Sequence, residues 1–273
     1  MGMLYGKVAF ITGAARGQGR SHAITLAEQG ADIIAVDICE QIPSVHYAMA
    51  TSEDLEETVK QVEALDRRIV ATQADVRDMG ALQAAVQKGV AELGRVDIIL
   101  ANAGIVTQGV DDPDPIQAFN DVIAVNLAGV RNTVHAAVQH MIYQGEGGSV
   151  VLTSSTQGLT GRGGAGTGGG DGYAAAKHGV VGLMRTWANW LAPHNIRVNS
   201  IHPTGVATPM IMNETIEQMM AANPDMGNAM ANLMPVPVVE SIDISNAVLY
   251  LVSDMGRYVS GVTLPVDAGF MAK

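Results

Sequence analysis

Short apolar runs alternate with amphipathic stretches along most of the chain. The runs Lys7–Thr12, Asp32–Asp37 and Ile69–Ala74 predict buried strands, and the stretches Arg20–Gln29 and Ser52–Asp66 between them predict helices. Two strand–helix–strand units are therefore complete before the first third of the chain ends.

The same alternation continues toward the C-terminus. It predicts, in order, helix Met79–Leu93, strand Asp97–Ala101, helix Ile116–Gln144, strand Ser149–Thr153, helix Tyr173–Leu191, strand Arg197–His202, helix Ser241–Val252 and strand Thr263–Val266. Strands that alternate with helices favour an α/β fold with a doubly wound parallel sheet of the Rossmann type, covered by helices on both faces. At 273 residues, the chain is expected to form a single domain over residues 1–273.

Two stretches interrupt this alternation. Residues 158–172 contain nine glycines in fifteen positions, so we expect a mobile loop there and neither a strand nor a helix. Residues 206–237 contain seven methionines, and the irregular segment near 204–240 predicts an adaptable apolar lid. The alternative for this segment is an ordinary pair of surface helices.

Composition excludes several classes of function. The net charge of −11, and 16 Lys and Arg residues without a basic run, make nucleic acids and anionic membranes poor partners. The chain passes from Met1 through Lys7 into a strand without a signal-peptide core, and it has no long apolar run, so we expect a cytoplasmic protein. The single cysteine, Cys39, has no cysteine or histidine cluster near it, and no metal site is expected.

A glycine turn joins the first predicted strand to the first helix. Its spacing, Thr12-Gly13-x3-Gly17-x-Gly19, lets backbone N–H groups at a helix N-terminus approach a pyrophosphate. Asp37 ends the second strand, where its carboxylate can accept hydrogen bonds from both adenosine ribose hydroxyls and would repel a 2′-phosphate. The pattern favours NAD over NADP, and the alternative for Asp37 is a cap at the strand end.

A tyrosine and a lysine lie four residues apart at the start of the helix after residue 172. Residues with this spacing share one face of a helix, so the Lys177 ammonium can stabilise a Tyr173 phenolate. The pair is common by chance, but here it follows a strand that ends in Thr153-Ser154-Ser155, at the sheet edge where open α/β proteins bind ligands. Because a phenol with a pKa of about 10 is a weak base, a nearby positive charge is what proton transfer by Tyr173 requires.

Taken together, these motifs carry a resemblance to a known family over essentially the whole chain. The matching residues are Thr12-Gly13-Ala14-Ala15-Arg16-Gly17-Gln18-Gly19, Asp75-Val76, Asn102-Ala103-Gly104, Asn126, Ser155-x2-Gly158, Tyr173-x3-Lys177 and Asn199-Ser200-Ile201-His202-Pro203. The chain resembles the short-chain dehydrogenase/reductase family. Within that family, the glycine turn and Val36-Asp37-Ile38-Cys39 resemble the actinobacterial carveol-dehydrogenase-like group, which is linked to terpenoid alcohols and to mycofactocin as an electron carrier.

The resemblance implies a catalytic set. It makes Tyr173 the acid/base, Ser155 the hydroxyl that polarises the substrate oxygen, and Lys177 the group that lowers the tyrosine pKa and holds the nicotinamide ribose. Asn126 would support a proton-relay water. Ser154 is the alternative to Ser155, although alternation along the strand turns Ser154 away.

The resemblance also implies which residues bind NAD. They are Gly13, Arg16, Gly17, Gln18, Gly19, Asp37, Ile38, Asp75, Val76, Asn102, Ala103, Gly104, Tyr173, Lys177, Pro203, Val206 and Thr208. Asp75 and Val76 would border the adenine, and Thr208 would contact the carboxamide.

The chain departs from the family pattern at three places. The interval from Ser155 to Tyr173 is lengthened, and Pro203-Thr204-Gly205 stands where the family usually has adjacent Pro-Gly; both border the substrate. The third departure is the long interval from Asp37 to Asp75, and its extended segment Ile38–Glu57 starts beside the adenosine. We expect this segment to cover the cofactor and slow its release, with a disordered surface loop as the alternative.

The function expected from these residues is hydride transfer between NAD(H) and a secondary alcohol or ketone, with a hydrophobic substrate and no metal. An NADP-dependent ketoreductase, supported only by Arg16, and a non-catalytic dinucleotide-binding protein are the alternatives, with an epimerase or dehydratase as a weaker one. The resemblance and the long apolar helices predict a homotetramer. His22, His178 and His202 share no metal-ligand spacing and are expected to be packing or surface residues.

Overall fold

A computed structural model of the protein describes residues 2–107, 113–162 and 166–273. In this part of the chain, seven parallel strands form one sheet in the order β3-β2-β1-β4-β5-β6-β7. The strands are β1 Val8–Thr12, β2 Asp32–Asp37, β3 Ile69–Gln73, β4 Ile98–Ala101, β5 Gly148–Thr153, β6 Ile196–Pro203 and β7 Thr263–Val266. This doubly wound sheet confirms the predicted fold class.

Helices cover both faces of the sheet. They are α1 Gly17–Glu28, α2 Ser52–Glu63, α3 Met79–Leu93, α4 Pro115–Ile123, α5 Val130–Gln144, α6 Gly168–Leu191, α7 Glu214–Ala222, α8 Pro224–Met230 and α9 Ser241–Val252. Because strand side chains alternate between faces, Phe10 belongs to the core under α3, α5 and α6, and Ile11 belongs to the core under α1, α2 and α9. Both cores consist mainly of Val, Ile, Leu and Ala, as expected of strands buried on both sides.

The helix predicted over Ile116–Gln144 is interrupted. A π-helical segment, Ala124–Gly129, lies between α4 and α5. It contains Asn126, whose side chain is fully buried and turned toward the backbone of Ile105. Wide turns of this kind are frequent at functional sites.

The glycine-rich stretch is only partly a loop. Helix α6 begins at Gly168, so the prediction that the whole of 158–172 is non-helical is wrong for its last five residues. The reason is close packing: a Cβ on Gly168 would lie 1.9 Å from the Pro115 carbonyl oxygen, and one on Gly169 would lie 2.1 Å from Thr107 Oγ1. The Thr167 hydroxyl caps the helix by accepting a hydrogen bond from Gly170 N at 3.1 Å. The residues 163–165 of the predicted loop lie outside the described part of the chain.

The segment 204–240 contains the two short helices α7 and α8, so the alternative of a helix pair describes it better than a wholly irregular lid. A parallel bridge between Val206 and Val239 brings the two ends of the segment together. Asn213 caps α7 by accepting a hydrogen bond from Ile216 N at 3.0 Å. The segment therefore leaves the carboxyl end of β6 and returns close to its starting point.

Candidate functional site

A cavity lies at the carboxyl ends of β1, β2 and β4. The chain leaves β1 toward β2 on one side and reaches β4 on the other, and ligands of open α/β sheets bind at such a switch point. The cavity measures about 880 Å³ with the open solvent at its mouth included. It is lined by most of the residues predicted to bind the cofactor: Gly13, Arg16, Gly17, Gln18, Gly19, Asp37, Ile38, Asp75, Val76, Asn102, Ala103, Gly104 and Thr208.

The glycine turn between β1 and α1 has the compact backbone that its sequence predicts. Gly13 and Gly17 have φ values of +68° and +54°, and a Cβ on Gly19 would lie 1.9 Å from the Gly13 carbonyl oxygen. Helix α1 has no side-chain cap at its N-terminus. Beside it, Gln18 Oε1 is buried and has no hydrogen-bond partner among the described residues. The turn and the uncapped first-turn N–H groups fit a dinucleotide pyrophosphate, which would accept from them, whereas Gln18 Oε1 is itself an acceptor and needs a donor.

Asp37 holds a buried carboxylate at the end of β2. Its Oδ2 accepts a hydrogen bond from Ala15 N at 2.9 Å, and its Oδ1 accepts one from Cys39 N at 3.2 Å. Burial raises the pKa of Asp37, while the two backbone bonds and the nearby Arg16 oppose that rise. The carboxylate therefore caps the local backbone and also faces the cavity, so the two interpretations of Asp37 are compatible.

Residues 38–51, here called the cover segment, are folded over the cavity. Ile42, Val45 and Ala50 are buried, and Tyr47 and Met49 pack against the core. The disordered loop considered as an alternative is not what the structure shows. Helix α2 begins at Ser52, which ends the extended segment before the predicted Glu57.

Internal and external hydrogen bonds hold the cover segment. Gln41 Nε2 donates to the Val45 carbonyl oxygen at 2.9 Å, and Gln41 Oε1 accepts from Met49 N at 3.1 Å. Ser44 Oγ donates to Asp121 Oδ2 at 2.7 Å, and Arg16 Nη2 donates to the Ala48 carbonyl oxygen at 2.5 Å. Arg16 is thus bonded to the cover segment.

The structure brings Ser155, Tyr173 and Lys177 together at the carboxyl end of β5. Lys177 is buried, and its Nζ lies 5.5 Å from the centre of the Tyr173 ring and donates to the Thr153 carbonyl oxygen at 2.8 Å. The Ser155 side chain lies close enough to the Tyr173 hydroxyl to oppose the rise of the tyrosine pKa. A positioned hydroxyl pair beside a buried cation can bind and protonate a carbonyl oxygen, or receive a proton from an alcohol.

Burial dominates the protonation of this set. It raises the pKa of Tyr173, although the nearby Ser155 side chain opposes the rise, and it lowers the pKa of Lys177 to about 8. The lowering of the tyrosine pKa by Lys177, implied by the resemblance, is not seen in this arrangement. At neutral pH the phenol of Tyr173 is therefore protonated.

The two serines at the end of β5 face different partners. Ser154 Oγ donates to the Lys177 carbonyl oxygen at 2.9 Å, inside the packing between β5 and α6. Ser155 Oγ accepts a hydrogen bond from Gln157 N at 3.1 Å and lies near the Tyr173 hydroxyl. This geometry favours Ser155 over Ser154 as the residue that meets a substrate.

Both polar atoms of the Asn126 side chain are bonded to the backbone of Ile105. Its Oδ1 accepts from Ile105 N and its Nδ2 donates to the Ile105 carbonyl oxygen, both at 2.8 Å. A Cβ on Gly104 would lie 3.3 Å from Asn126 Oδ1 and 3.6 Å from Lys177 Nζ, so the amide and the ammonium lie close together. The amide thus fixes the chain after β4, and its part in a proton relay stays a prediction.

The remaining predicted residues lie at or after the end of β6, and only Thr208 among them lines the cavity. Pro203 ends β6, and Val206 is buried at the bridge to Val239. Neither is among the residues that line the described cavity, and their contact with a cofactor stays a prediction. Thr208 does lie against the turn, since a Cβ on Gly17 would be 3.1 Å from its Cγ2.

Sequence reasoning missed the residues that close and support the site. Ile42, Tyr47 and Met49 of the cover segment line the cavity. Their signal was a cluster of apolar side chains in a stretch interpreted as an extended segment. The predicted packing of histidines is confirmed for His22 and His202, which are buried.

Other chemistry has little support in the described part of the chain. These residues contain no group of three or more His, Cys, Asp or Glu side chains that could hold a metal ion. Burial raises the pKa of Cys39 to about 12, which keeps the thiol protonated. None of the described helices combines the length and the apolar character needed to cross a membrane.

Known proteins resemble this chain over nearly its full length. The family model for short chain dehydrogenases matches residues 7–219. An uncharacterized oxidoreductase of Mycobacterium tuberculosis is 56% identical over 99% of this chain and 98% of its own. The (-)-trans-carveol dehydrogenase of Rhodococcus erythropolis is 47% identical, with all of both chains covered. The crystal structure of carveol dehydrogenase from Mycobacterium avium in complex with NAD superimposes with a TM-score of 0.93 at 51% identity, again over all of both chains. With this agreement of sequence, fold and site, the chain belongs to the short-chain dehydrogenase/reductase family.

Proposed function

We propose that the protein is an NAD(H)-dependent oxidoreductase that interconverts a hydrophobic, terpenoid-like secondary alcohol and its ketone. The observation that carries this proposal is the meeting of the Ser155 and Tyr173 hydroxyls beside the buried Lys177, next to a cavity lined by the glycine turn. The names of the Rhodococcus and M. avium relatives, a carveol dehydrogenase in each case, support the substrate class.

The cavity fits NAD as the cofactor. When bound, the oxidised cofactor NAD⁺ would accept hydride from the alcohol, and the reduced cofactor NADH would donate it to the ketone. The glycine turn, with the backbone N–H of Gln18, would hold the pyrophosphate, Asp37 and Ile38 the adenosine ribose, and Asp75 and Val76 the adenine. Lys177 would hold the nicotinamide ribose. The Asp37 carboxylate, already fixed by two backbone N–H groups, would accept from ribose hydroxyls and repel a 2′-phosphate.

Side chains of the protein transfer the proton to and from the substrate oxygen. In alcohol oxidation, Tyr173 as phenolate receives the substrate hydroxyl proton, while the Ser155 hydroxyl donates a hydrogen bond to the substrate oxygen. In ketone reduction the direction reverses, and Tyr173 donates the proton. Because burial raises the pKa of Tyr173, the phenol is ready for reduction at neutral pH, and oxidation depends on the Lys177 charge to stabilise the phenolate.

The segment 204–240 supplies an apolar boundary for the substrate. Met210 lines the cavity, and Met230 Sδ lies 3.6 Å from Nε2 of Gln157, two residues after Ser155. Methionine side chains are unbranched and adapt to irregular apolar shapes. This segment is therefore proposed as the lid over a hydrophobic alcohol.

An NADP-dependent ketoreductase loses its one supporting residue. Arg16 would have to bind the 2′-phosphate, but one nitrogen of its guanidinium is bonded to the Ala48 carbonyl oxygen of the cover segment, and the nearby Asp37 carboxylate would repel the phosphate. A non-catalytic dinucleotide-binding protein is disfavoured by the complete set of Ser155, Tyr173 and Lys177.

Assembly, carrier and location are further parts of the proposal. Exposed apolar side chains on α4 and α6, including Ile116, Phe119 and Trp190, support a homotetramer, for which light scattering should give four times the chain mass of 28.5 kDa. Mycofactocin as a separate electron carrier, and a cytoplasmic location, rest on the family resemblance and on the sequence alone.

Replacing the proton donor tests the function. The Tyr173→Phe variant should lower turnover of carveol and related secondary alcohols by about 10²- to 10⁴-fold, because it removes the proton-transferring oxygen and little else. Reduction of the nicotinamide, followed by its near-ultraviolet absorbance, measures the rate. Tyr143→Phe, at a tyrosine 85% exposed on α5, is the matched control. Near-normal turnover in Tyr173→Phe contradicts the proposed mechanism.

A further inference from the structure

A buried chain of hydrogen bonds runs from β6 to the carbonyl group of Ser155. Ser200 and His202 lie two residues apart on β6, and both are completely buried. Ser200 Oγ lies 2.8 Å from His202 Nε2, and His202 Nδ1 lies 2.8 Å from the Ser155 carbonyl oxygen. The imidazole thus connects one strand to the residue that follows the neighbouring strand.

The chemistry of the partners determines the direction of each bond. A carbonyl oxygen can only accept, so Nδ1 must carry the hydrogen. Burial lowers the pKa of His202 to about 4, so the ring is neutral at pH 7 and Nε2 has no hydrogen. The Ser200 hydroxyl must then donate to Nε2. Each of these polar groups has one compatible orientation, which makes the arrangement rigid.

The accepting carbonyl belongs to the residue with the functional hydroxyl. The regular ladder between β5 and β6 reaches Ser154, whose N–H donates to the Ile201 carbonyl oxygen at 2.9 Å. Beyond it, the Ser155 carbonyl oxygen receives His202 Nδ1–H and also Gly158 N–H at 2.9 Å. These bonds restrain the peptide on the C-terminal side of Ser155, and with it the direction of Ser155 Oγ.

We propose that His202 is a positioning residue for Ser155. By holding the Ser155 carbonyl, it keeps Oγ directed toward Tyr173 and the substrate oxygen, and this inference rests on the proposed function. A serine hydroxyl that polarises a substrate oxygen must be placed within a fraction of an ångström, since small displacements reduce rates strongly. Simple packing does not require this arrangement, because an apolar side chain would fill a strand interior without needing two polar partners.

Three substitutions separate positioning from packing. His202→Leu removes both ring nitrogens, His202→Asn keeps an N–H donor near the position of Nδ1, and His202→Gln places its donor near Nε2. We expect His202→Leu to lower kcat by about 10- to 100-fold with KM within a factor of three, because ground-state binding of an apolar substrate does not depend on this bond. His202→Asn should recover most of kcat, and His202→Gln should not.

A second buried histidine provides the control. His22 on α1 is buried and bonded through Nδ1 to Ser245 Oγ at 2.8 Å, with no link to Ser155. His22→Leu removes a buried histidine without touching Ser155, so kcat should stay within a factor of two. The loss in His202→Leu should also vanish in a Ser155→Ala background, because the two residues act as one unit.

Two results would overturn the inference while leaving the proposed function intact. One is a kcat for His202→Leu within twofold of the wild type. The same conclusion would follow if the double variant His202→Leu/Ser155→Ala lost kcat by the product of the two single losses, since the two residues would then act independently. The other needs no variant: ¹⁵N NMR of the wild-type protein should show His202 protonated on Nδ1, and a ring protonated on Nε2 contradicts the chain of bonds. A wild-type protein that turns over no secondary alcohol, although it holds NAD and shows the Nδ1–H ring, overturns the proposed function instead.

Discussion

Release of NAD is predicted to require opening of the cover segment. The segment lines the cavity through Ile42, Tyr47 and Met49, and it is bonded to the body of the protein on two sides. Ser44 donates to Asp121 of α4, and Arg16 of the glycine turn donates to the Ala48 carbonyl oxygen. The Tyr47 hydroxyl lies close enough to the N–H of Val106, in the chain after β4, for that N–H to oppose the burial-driven rise of its pKa. A cofactor beneath such a segment leaves only when these contacts break, so we expect NAD to remain bound through purification.

The size of the effect follows from the contacts of Ser44 and Tyr47. A hydrogen bond to a charged group contributes about 1.5–3 kcal/mol, and the half-buried position of Ser44 favours the lower end of this range. Ser44→Ala should therefore increase the fraction of molecules with an open cover segment about tenfold. Tyr47→Phe removes the hydroxyl beside the Val106 N–H, and the loss of one neutral polar contact of this kind adds about 1 kcal/mol, or roughly fivefold. Because the two contacts attach different parts of the segment, the double variant should release NAD about 50-fold faster.

Bound nucleotide can be measured directly. Mass spectrometry of protein purified without added nucleotide identifies NAD, and chasing bound NADH with excess NAD while recording NADH fluorescence measures release. Ser44→Thr, which keeps the hydroxyl, is the matched control and should release at the wild-type rate. Deleting residues 40–50 should convert a retained NAD into an exchangeable cosubstrate without altering Tyr173.

Two results would refute this reasoning. One is a wild-type protein that purifies without nucleotide and turns over freely with added NAD. The other is a Ser44→Ala/Tyr47→Phe variant that releases NADH at the wild-type rate. Either result would mean that the ordered cover segment does not control exchange.

Two further predictions concern the charged groups of the site. Asp37→Asn keeps an acceptor for Ala15 N but removes the negative charge. The preference for NAD over NADP, measured as the ratio of the two kcat/KM values, should therefore fall by about 10- to 100-fold. An unchanged ratio would contradict the role of Asp37 in cofactor choice. Lys177→Met should stabilise the cofactor-free protein at pH 7 by up to about 3 kcal/mol, since burial lowers the Lys177 pKa from 10.5 to about 8 and each unit corresponds to about 1.36 kcal/mol. Between pH 8 and 10.5 the unfolded wild-type chain binds one more proton than the folded chain, so the stability of the wild type rises over that range and the advantage of Lys177→Met disappears. Urea unfolding of both proteins at pH 7 and above pH 10 measures this advantage. An equal advantage at both pH values would show that burial of the lysine charge is not its cause.

The strands and the reacting groups could be predicted because their signals are local in sequence. β7 and the helices α3 and α9 have the predicted bounds, since each is a periodic run closed by its own polar or glycine boundary. Tyr173 and Lys177 have fixed spacing on one helix, and Ser155 is the second residue after a strand. The parallel sheet then brings the carboxyl ends of its strands to one edge, so the reacting side chains meet without further information.

The cover segment could not be predicted in the same way. Residues 38–51 have no period, and their order depends on bonds to residues far along the chain, such as the bond from Ser44 to Asp121. Gln41 illustrates the difficulty: its exposed polar type suggests a loop surface, yet its amide bonds three carbonyl oxygens and one N–H inside the segment. Only the position of the neighbouring elements decides whether such a stretch is ordered.

Gly168, Gly169 and His202 share one limit of sequence reasoning. A glycine indicates either freedom of the backbone or close approach by a neighbour, and at 168 and 169 the carbonyl of Pro115 and the hydroxyl of Thr107 determine that it is the second. A histidine away from other ligands indicates a surface or a packing role until its partners are known. At position 202 those partners are a serine hydroxyl on the same strand and the carbonyl of the functional serine. Residues that react are therefore recognised by their own type and spacing, whereas residues that hold them in place are recognised by what they contact, and the structure supplies that second kind of information.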